Sequence, residues 1–222
     1  MNFDLTLLLR PGPELIAGFG VTIAVTFAAF SLASILGTVL ALSSLSSDRT
    51  VQRSVAGLTY LTRTTPELIA IFWAYYCLPQ LIGLQLSGFT CGVLALGLIG
   101  GGYMAEIIRG GILAVPSGQW EAARTLGLPP PITWFLVIFP QALRQMLPAV
   151  VNYFTDVLKN STLLAGIGVG EIAYAAYMAG SASYRYIEPL TGVALIFFAF
   201  VFPLSLLARR LGARQSANTQ SL

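Results

Sequence analysis

Long apolar runs separated by short polar breaks set the pattern of this chain. Five segments can be drawn, at about Leu15 to Leu45, Val55 to Leu84, Phe89 to Leu113, Phe135 to Leu164 and Pro189 to Ala208. A helix needs about 20 predominantly apolar residues to cross a bilayer, so each reads as a transmembrane helix. The first exceeds that length and must tilt or begin in the interface. The second is interrupted by Arg63-Thr64-Thr65-Pro66-Glu67. Pro66 frees backbone carbonyls that only protein or water can satisfy at membrane depth, which makes the break a candidate wall of a solute path. The expected architecture is an all-α membrane protein of five transmembrane helices, one domain over residues 1–211. A polar tail, 212–222, is expected to be disordered. No internal repeat is visible, which counts against a transporter built from inverted halves.

Composition removes the soluble alternative. The chain is 56% hydrophobic and 9% charged, with mean hydropathy +0.78, against about 25% charged residues in soluble domains. So few charges cannot cover a soluble globule. There is no histidine, so imidazole acid–base chemistry and histidine metal sites are excluded. Met1 to Pro13 carries Asp4 and Arg10 but no small-residue cleavage pattern, so the first segment is expected to stay as a span. Cys77 and Cys91 flank the second connection. They read either as two buried thiols or, on an oxidising side, as a disulfide.

The basic residues alternate with the spans. The first connection holds Arg49 and Arg53, the third Arg109, Arg124 and Arg144, and the C-terminal end Arg209, Arg210 and Arg214. The second, Pro79 to Thr90, holds no charge, and the fourth holds Arg185. By the positive-inside rule the N-terminus lies outside and the C-terminus in the cytoplasm, Arg10 dissenting. Glu171, Arg185 and Glu188 then fall in the outward connection, either solvated or in contact with an external partner.

One polar stretch stands out between the third and fourth segments. Gln119, Trp120, Glu121, Ala122, Ala123 and Arg124 favour a helix that Ser117 can cap and Gly127 can end. Pro129-Pro130-Pro131 then turns the chain. Such a helix standing off the membrane either lies on lipid or presents its alanines to another protein, and a single arginine suits lipid poorly.

Charges also occur at membrane depth. Asp156 and Lys159 are three apart, on one helix face. Each costs about 2.5–3.5 kcal/mol at a helix centre, against about 0.3–0.6 kcal/mol returned by each apolar residue, so the fourth segment nearly breaks even. It belongs against other helices or a wet cavity. Two readings stand: a mutual ion pair, or a path lining that meets a solute's ammonium and carboxylate, with Asn160, Ser161 and Thr162 adding hydrogen-bonding groups. Glu106 and Arg109 share the spacing and read as a structural or gating ion pair. No phosphate-binding Gly-x-x-x-x-Gly-Lys-Ser/Thr loop occurs, and Gly97 with Gly101 makes a small-xxx-small packing face.

Glu121-Ala122-Ala123 with Gly127 and Ile138-Phe139-Pro140 resembles the EAA loop of permease subunits in bacterial binding-protein-dependent ABC importers. Tyr103 to Ile112, Val115 to Trp120, Arg63 to Pro66, Pro140 to Arg144 and Leu158 to Leu163 resemble the polar amino acid branch, in order, over about Val55 to Arg210. Phe139 replaces the usual leucine, three prolines follow Gly127, and Asp156 stands where a small or hydroxyl residue is more usual. The resemblance implies a type I importer permease in the bacterial inner membrane that moves a polar amino acid by alternating access. It implies that Gln119 to Arg124 and Gly127 dock in a cleft of an ATPase subunit. ATP and magnesium would belong to that partner, and this chain would hold no cofactor, no metal and no catalytic group. A second permease, identical or homologous, and an extracytoplasmic solute-binding protein would complete the assembly, with membrane lipid around it and no nucleic acid. Arg63, Thr65, Pro66, Asp156, Lys159, Asn160, Ser161 and Thr162 are the path candidates, and Asp156 favours a positively charged substrate. The rival reading is an ATP-independent solute or ion channel.

Overall fold

Where the apolar runs are uninterrupted, the backbone forms long helices. The computed structural model describes residues 12–219; Asp4 and Arg10 lie outside the described residues, as do 220–222. Helix α1 is Gly12–Ser44, α2 Arg49–Thr64, α3 Glu67–Tyr76, α4 Gly88–Leu113, α5 Ser117–Thr125, α6 Phe139–Asn160, α7 Ile172–Ser183 and α8 Ile187–Thr219. A turn at Pro130–Ile132 and a π-helical stretch, Thr133–Ile138, lead into α6, and a 3₁₀ segment, Ser161–Ile167, follows it. All regular structure among the described residues is helical.

Among the described residues, four stretches are long and apolar enough to cross a membrane: α1, α4, Pro130–Ile167 and Ile187–Ala213. The second expected span is not a fifth of this kind. It comes as α2, too polar, and α3, only 10 residues long. The reason is Pro66, which lacks an N–H and pushes Thr65 into extended backbone (φ −80°, ψ 124°). The break leaves few carbonyls bare. Thr65 Oγ1 donates to Leu61 O at 2.8 Å and Tyr103 Oη to Arg63 O at 3.2 Å.

α4 is the central rod. α1 lies along it at close range because glycines on both helices remove the side chains between them. A Cβ at Gly97 would meet Leu32, and one at Gly37 would stand 2.5 Å from Met104 Cβ. α3, α6 and the 3₁₀ segment close the core around Val25, Ile71, Cys91, Leu96, Val157 and Leu164. Both cysteines are free. Cys91 is buried as expected, but Cys77 is exposed.

The remaining differences are at the ends. α8 continues to Thr219, so the tail drawn from Gly212 onward is helical backbone as far as that residue; Ala213, Arg214 and Gln215 are good helix formers. Of the three charges in the fourth connection, Glu171 and Glu188 are buried rather than solvated. Glu188 pairs with Arg185. Glu171 caps α7, accepting from Ala173 N at 2.9 Å and Tyr174 N at 2.7 Å, against Thr22 and Gly18 of α1. Burial pushes its carboxyl above the usual range, and those N–H groups and Thr22 pull the other way.

Candidate functional site

Two constellations carry the chemistry. The first is α5. Pro116 precedes it in extended backbone and Ser117 is its first residue, so the serine cap expected there is not formed. The C-terminus is a Schellman turn. Gly127 sits at φ +65°, its N–H donates to Arg124 O at 2.9 Å, and Leu128 N–H donates to Ala123 O at 3.0 Å. The inner face is locked to the rod that leads into α6. Ala123 is buried, the Trp120 ring meets Trp134 edge-on at 5.3 Å, and Gln141 Nε2 donates to Gln119 Oε1 at 3.3 Å. Beneath lie Ile112, Val115, Ile138 and Ala142.

The outer face is open. Glu121, Ala122, Arg124 and Gly127 are exposed, and Leu126 is 75% exposed. Neither Glu121 nor Arg124 has an ion-pair partner among the described residues. A small residue flanked by unpaired opposite charges, on a helix that cannot shift without dragging α6, is a surface that another protein can grip and push.

The second constellation runs from the α2–α3 break across α4 to α6. The Arg63 guanidinium lies 5.5 Å over the Tyr103 ring, which stacks on Tyr153 at 5.8 Å and 17°. Tyr153 stands one helical turn before Asp156, whose carboxylate pairs with Lys159 Nζ at 2.7 Å. Both side chains of that pair are half exposed, on the uncovered face of α6 that also carries Asn152. The ion pair and the open face therefore coexist. Asn160 is half-buried at the end of α6. Ser161 is fully buried, its hydroxyl donating to Leu158 O at 2.8 Å, and Thr162 Oγ1 donates to Lys159 O at 2.7 Å. Of the hydroxyl groups placed beside the path by spacing, Ser161 thus faces the core instead.

Nearer α5, Arg109 and Glu106 form an ion pair at 2.7 Å. They line a cavity of about 510 Å³ of mixed character, together with the polar Ser44, Gln52, Thr59 and Arg63 and the apolar Leu45, Val55 and Leu113. The structure thus brings Arg63 to both groups, stacked on Tyr103 and beside Glu106. Thr65 and Pro66 only shape the break. Nothing in the sequence marks Tyr103 and Tyr153 as path residues, since aromatic residues in an apolar span carry no local sign of a long-range stack. The described residues hold no cluster of acidic, cysteine or histidine side chains able to bind a metal.

Residues 33–217 match the family model described as "Binding-protein-dependent transport system inner membrane component". The chain is 34% identical over 218 residues to the arginine transport system permease protein ArtQ of Bacillus subtilis (strain 168), covering 98% of this chain and 100% of that one. It is 34% identical over 202 residues to the probable glutamine ABC transporter permease protein GlnP of the same organism, covering 90% of this chain and 92% of that one. Among solved structures it resembles the crystal structure of an amino acid ABC transporter with histidines, at TM-score 0.86 and 34% identity. That match covers 96% of this chain and 100% of the other.

Proposed function

The chain belongs to the family of binding-protein-dependent transport system inner membrane components, and from that premise we propose that it is the membrane-spanning half of an ATP-driven amino acid importer. α5 docks on a separate ATPase subunit, which binds ATP and magnesium and hydrolyses the nucleotide. The subunit pairs with a second permease, identical or similar, because one bundle of this size leaves the polar face of α6 uncovered. An extracytoplasmic solute-binding protein delivers the amino acid. α2 and α3 together make the fifth crossing, with the N-terminus outside and α5 and the C-terminus in the cytoplasm.

Closure of the ATPase subunits moves α5, and the locked Trp120–Trp134 and Ala123 contacts carry that movement into α6. Motion of α6 displaces Asp156 and Lys159, whose half-exposed pair can exchange its internal contact for a solute's ammonium and carboxylate. Relatives at the same 34% identity are named for arginine and for glutamine, so identity alone does not choose a substrate. Asp156, a carboxylate where the resemblance puts a small or hydroxyl residue, favours a positively charged solute. No bond of the solute changes.

The observation that supports this reading most is the asymmetry of α5, locked inside and bare outside. The test is uptake of labelled arginine and glutamine into vesicles holding the permease, its ATPase and the binding protein. Accumulation that needs internal ATP and prefers arginine supports it. Flux without ATP would mark a channel instead.

A further inference from the structure

On the side of the bundle away from the polar face of α6, α1 and the Pro130–Val150 stretch part over α4 and leave a groove of about 690 Å³. Its walls are hydrocarbon, with Phe30, Leu42, Ile108, Phe135 and Phe139 among them. The hydroxyls that reach it are already bonded. Ser34 Oγ and Thr38 Oγ1 each donate to a backbone carbonyl one turn back, both at 2.7 Å. Phe135 is 71% exposed. The groove follows α1 from Phe30 to Leu42. At 1.5 Å per residue that is roughly 18 Å, close to one leaflet of a hydrocarbon core about 30 Å thick. Because both walls belong to membrane-crossing stretches, the slot opens toward acyl chains.

The end nearest α5 changes character. There the groove shares Pro130 and Trp134 with a smaller pocket of about 160 Å³, lined also by Trp120, Arg124 and Thr133. Arg124 has no ion-pair partner among the described residues, and the two indoles stand edge to face. Tryptophans at the headgroup level and a cation just beyond a span are the groups that hold a lipid phosphate. A leaflet-deep hydrocarbon slot that runs into a cationic, aromatic pocket is complementary to one molecule in both parts. We infer that this is a phospholipid site, with an acyl chain in the α1–α6 groove and an anionic headgroup at Arg124, on the flank of α5 where Trp120 meets Trp134; a lone arginine holds lipid poorly by charge alone, and here the apolar groove supplies the rest. The bound lipid touches the spans and α5 together, so bilayer composition bears on the position of α5.

Tryptophan fluorescence tests this without any transport assay. The chain has three tryptophans, so Trp73→Phe leaves Trp120 and Trp134 as the reporters. The full chain carrying that change is reconstituted in phosphatidylcholine vesicles. Increasing fractions of brominated phosphatidylglycerol or brominated phosphatidylcholine are then included. Half-maximal quenching is expected at a several-fold lower fraction of the anionic lipid. Arg124→Gln is expected to erase that preference and Arg124→Lys to keep it, while Thr38→Phe, filling the groove, weakens quenching by both lipids. Equal quenching by the two lipids with no response to Arg124→Gln would mean annular lipid only and would overturn the site. Absence of quenching by either would mean that protein, such as a second copy of the chain, fills the groove, and would overturn it equally.

Discussion

Gly127 carries a substitution whose effect can be worked from the structure. Its φ of +65° is a conformation that L side chains avoid, yet a Cβ built there meets nothing within 4 Å. The effect of Gly127→Val is therefore conformational, with no clash added. A branched residue in the left-handed region costs about 1–2 kcal/mol. That strain falls on the two hydrogen bonds of the Schellman turn, from Gly127 and Leu128 to Arg124 and Ala123. α5 has nine residues, too short to persist on its own propensity. A penalty of about 1–2 kcal/mol shifts a two-state balance by roughly 5–30-fold. ATP-driven uptake and co-purification of the ATPase subunit are expected to fall by about that factor, with membrane abundance unchanged. Gly127→Asn tolerates the left-handed region and is expected to restore most of the activity. Gly110→Ala, where a Cβ also meets nothing and φ is ordinary, is expected to match the wild type. Uptake by Gly127→Val at the wild-type rate, with the ATPase still bound, would show that the turn at Gly127 does not hold α5 for coupling.

Other substitutions separate packing from recognition. Asp156→Asn breaks a half-exposed pair worth about 0.3–0.5 kcal/mol to stability, so melting of the purified protein should move by only about 1–2 °C. The apparent KM for a cationic amino acid should rise roughly tenfold or more as a charge-assisted contact is lost; a fall in abundance with unchanged KM would show the pair to be structural only. Gly37→Ala places a Cβ 2.5 Å from Met104 Cβ and 2.9 Å from Ala105 N, which forces α1 off α4 at about 1–3 kcal/mol, whereas Gly20→Ala on the same helix has open space and should be neutral by thermal melting. Glu171 has its carboxyl raised by burial, so the folded state holds the proton more tightly than the unfolded chain. Its contribution to stability is full below pH of about 4.5 and falls as pH rises through the raised value; a Glu171→Gln protein should lose that slope in pH-dependent melting, and an unchanged slope would place its origin elsewhere.

Local physics made much of this legible in advance. Pro66 announces the break in the second segment because a missing N–H acts where it stands, and Gly127 announces the end of α5 because glycine takes a left-handed turn with the least strain. Asp156 and Lys159 are conspicuous because charge at membrane depth is expensive. The long-range contacts were not legible. Nothing adjacent in sequence to Tyr103 or Tyr153 says that the two rings stack, or that Arg63 lies above them. Ser161 shares its polarity with Asn160 and Thr162, and its burial depends on how the 3₁₀ segment meets the core. Glu171 as a buried cap was missed for a related reason: a glutamate in a polar connection looks solvated until α1 is packed against it. The division of the second segment into α2 and α3 could be read from Pro66, but the polar surface of α2 weighs more in three dimensions than an apolar count suggests.

Energy coupling as proposed here requires that a partner ATPase subunit hold α5 in the cytoplasm. The most direct measurement places a single thiol at Ala122, with Cys77→Ser and Cys91→Ala removing the native thiols, labels it with benzophenone maleimide in inverted membrane vesicles, and irradiates them. The Ala122→Cys chain is expected to cross-link to the ATPase subunit in a yield that changes with nucleotide. Labelling of that thiol by an impermeant maleimide added to intact cells, or vesicles that yield no ATPase cross-link, would mean that α5 is not the docking helix.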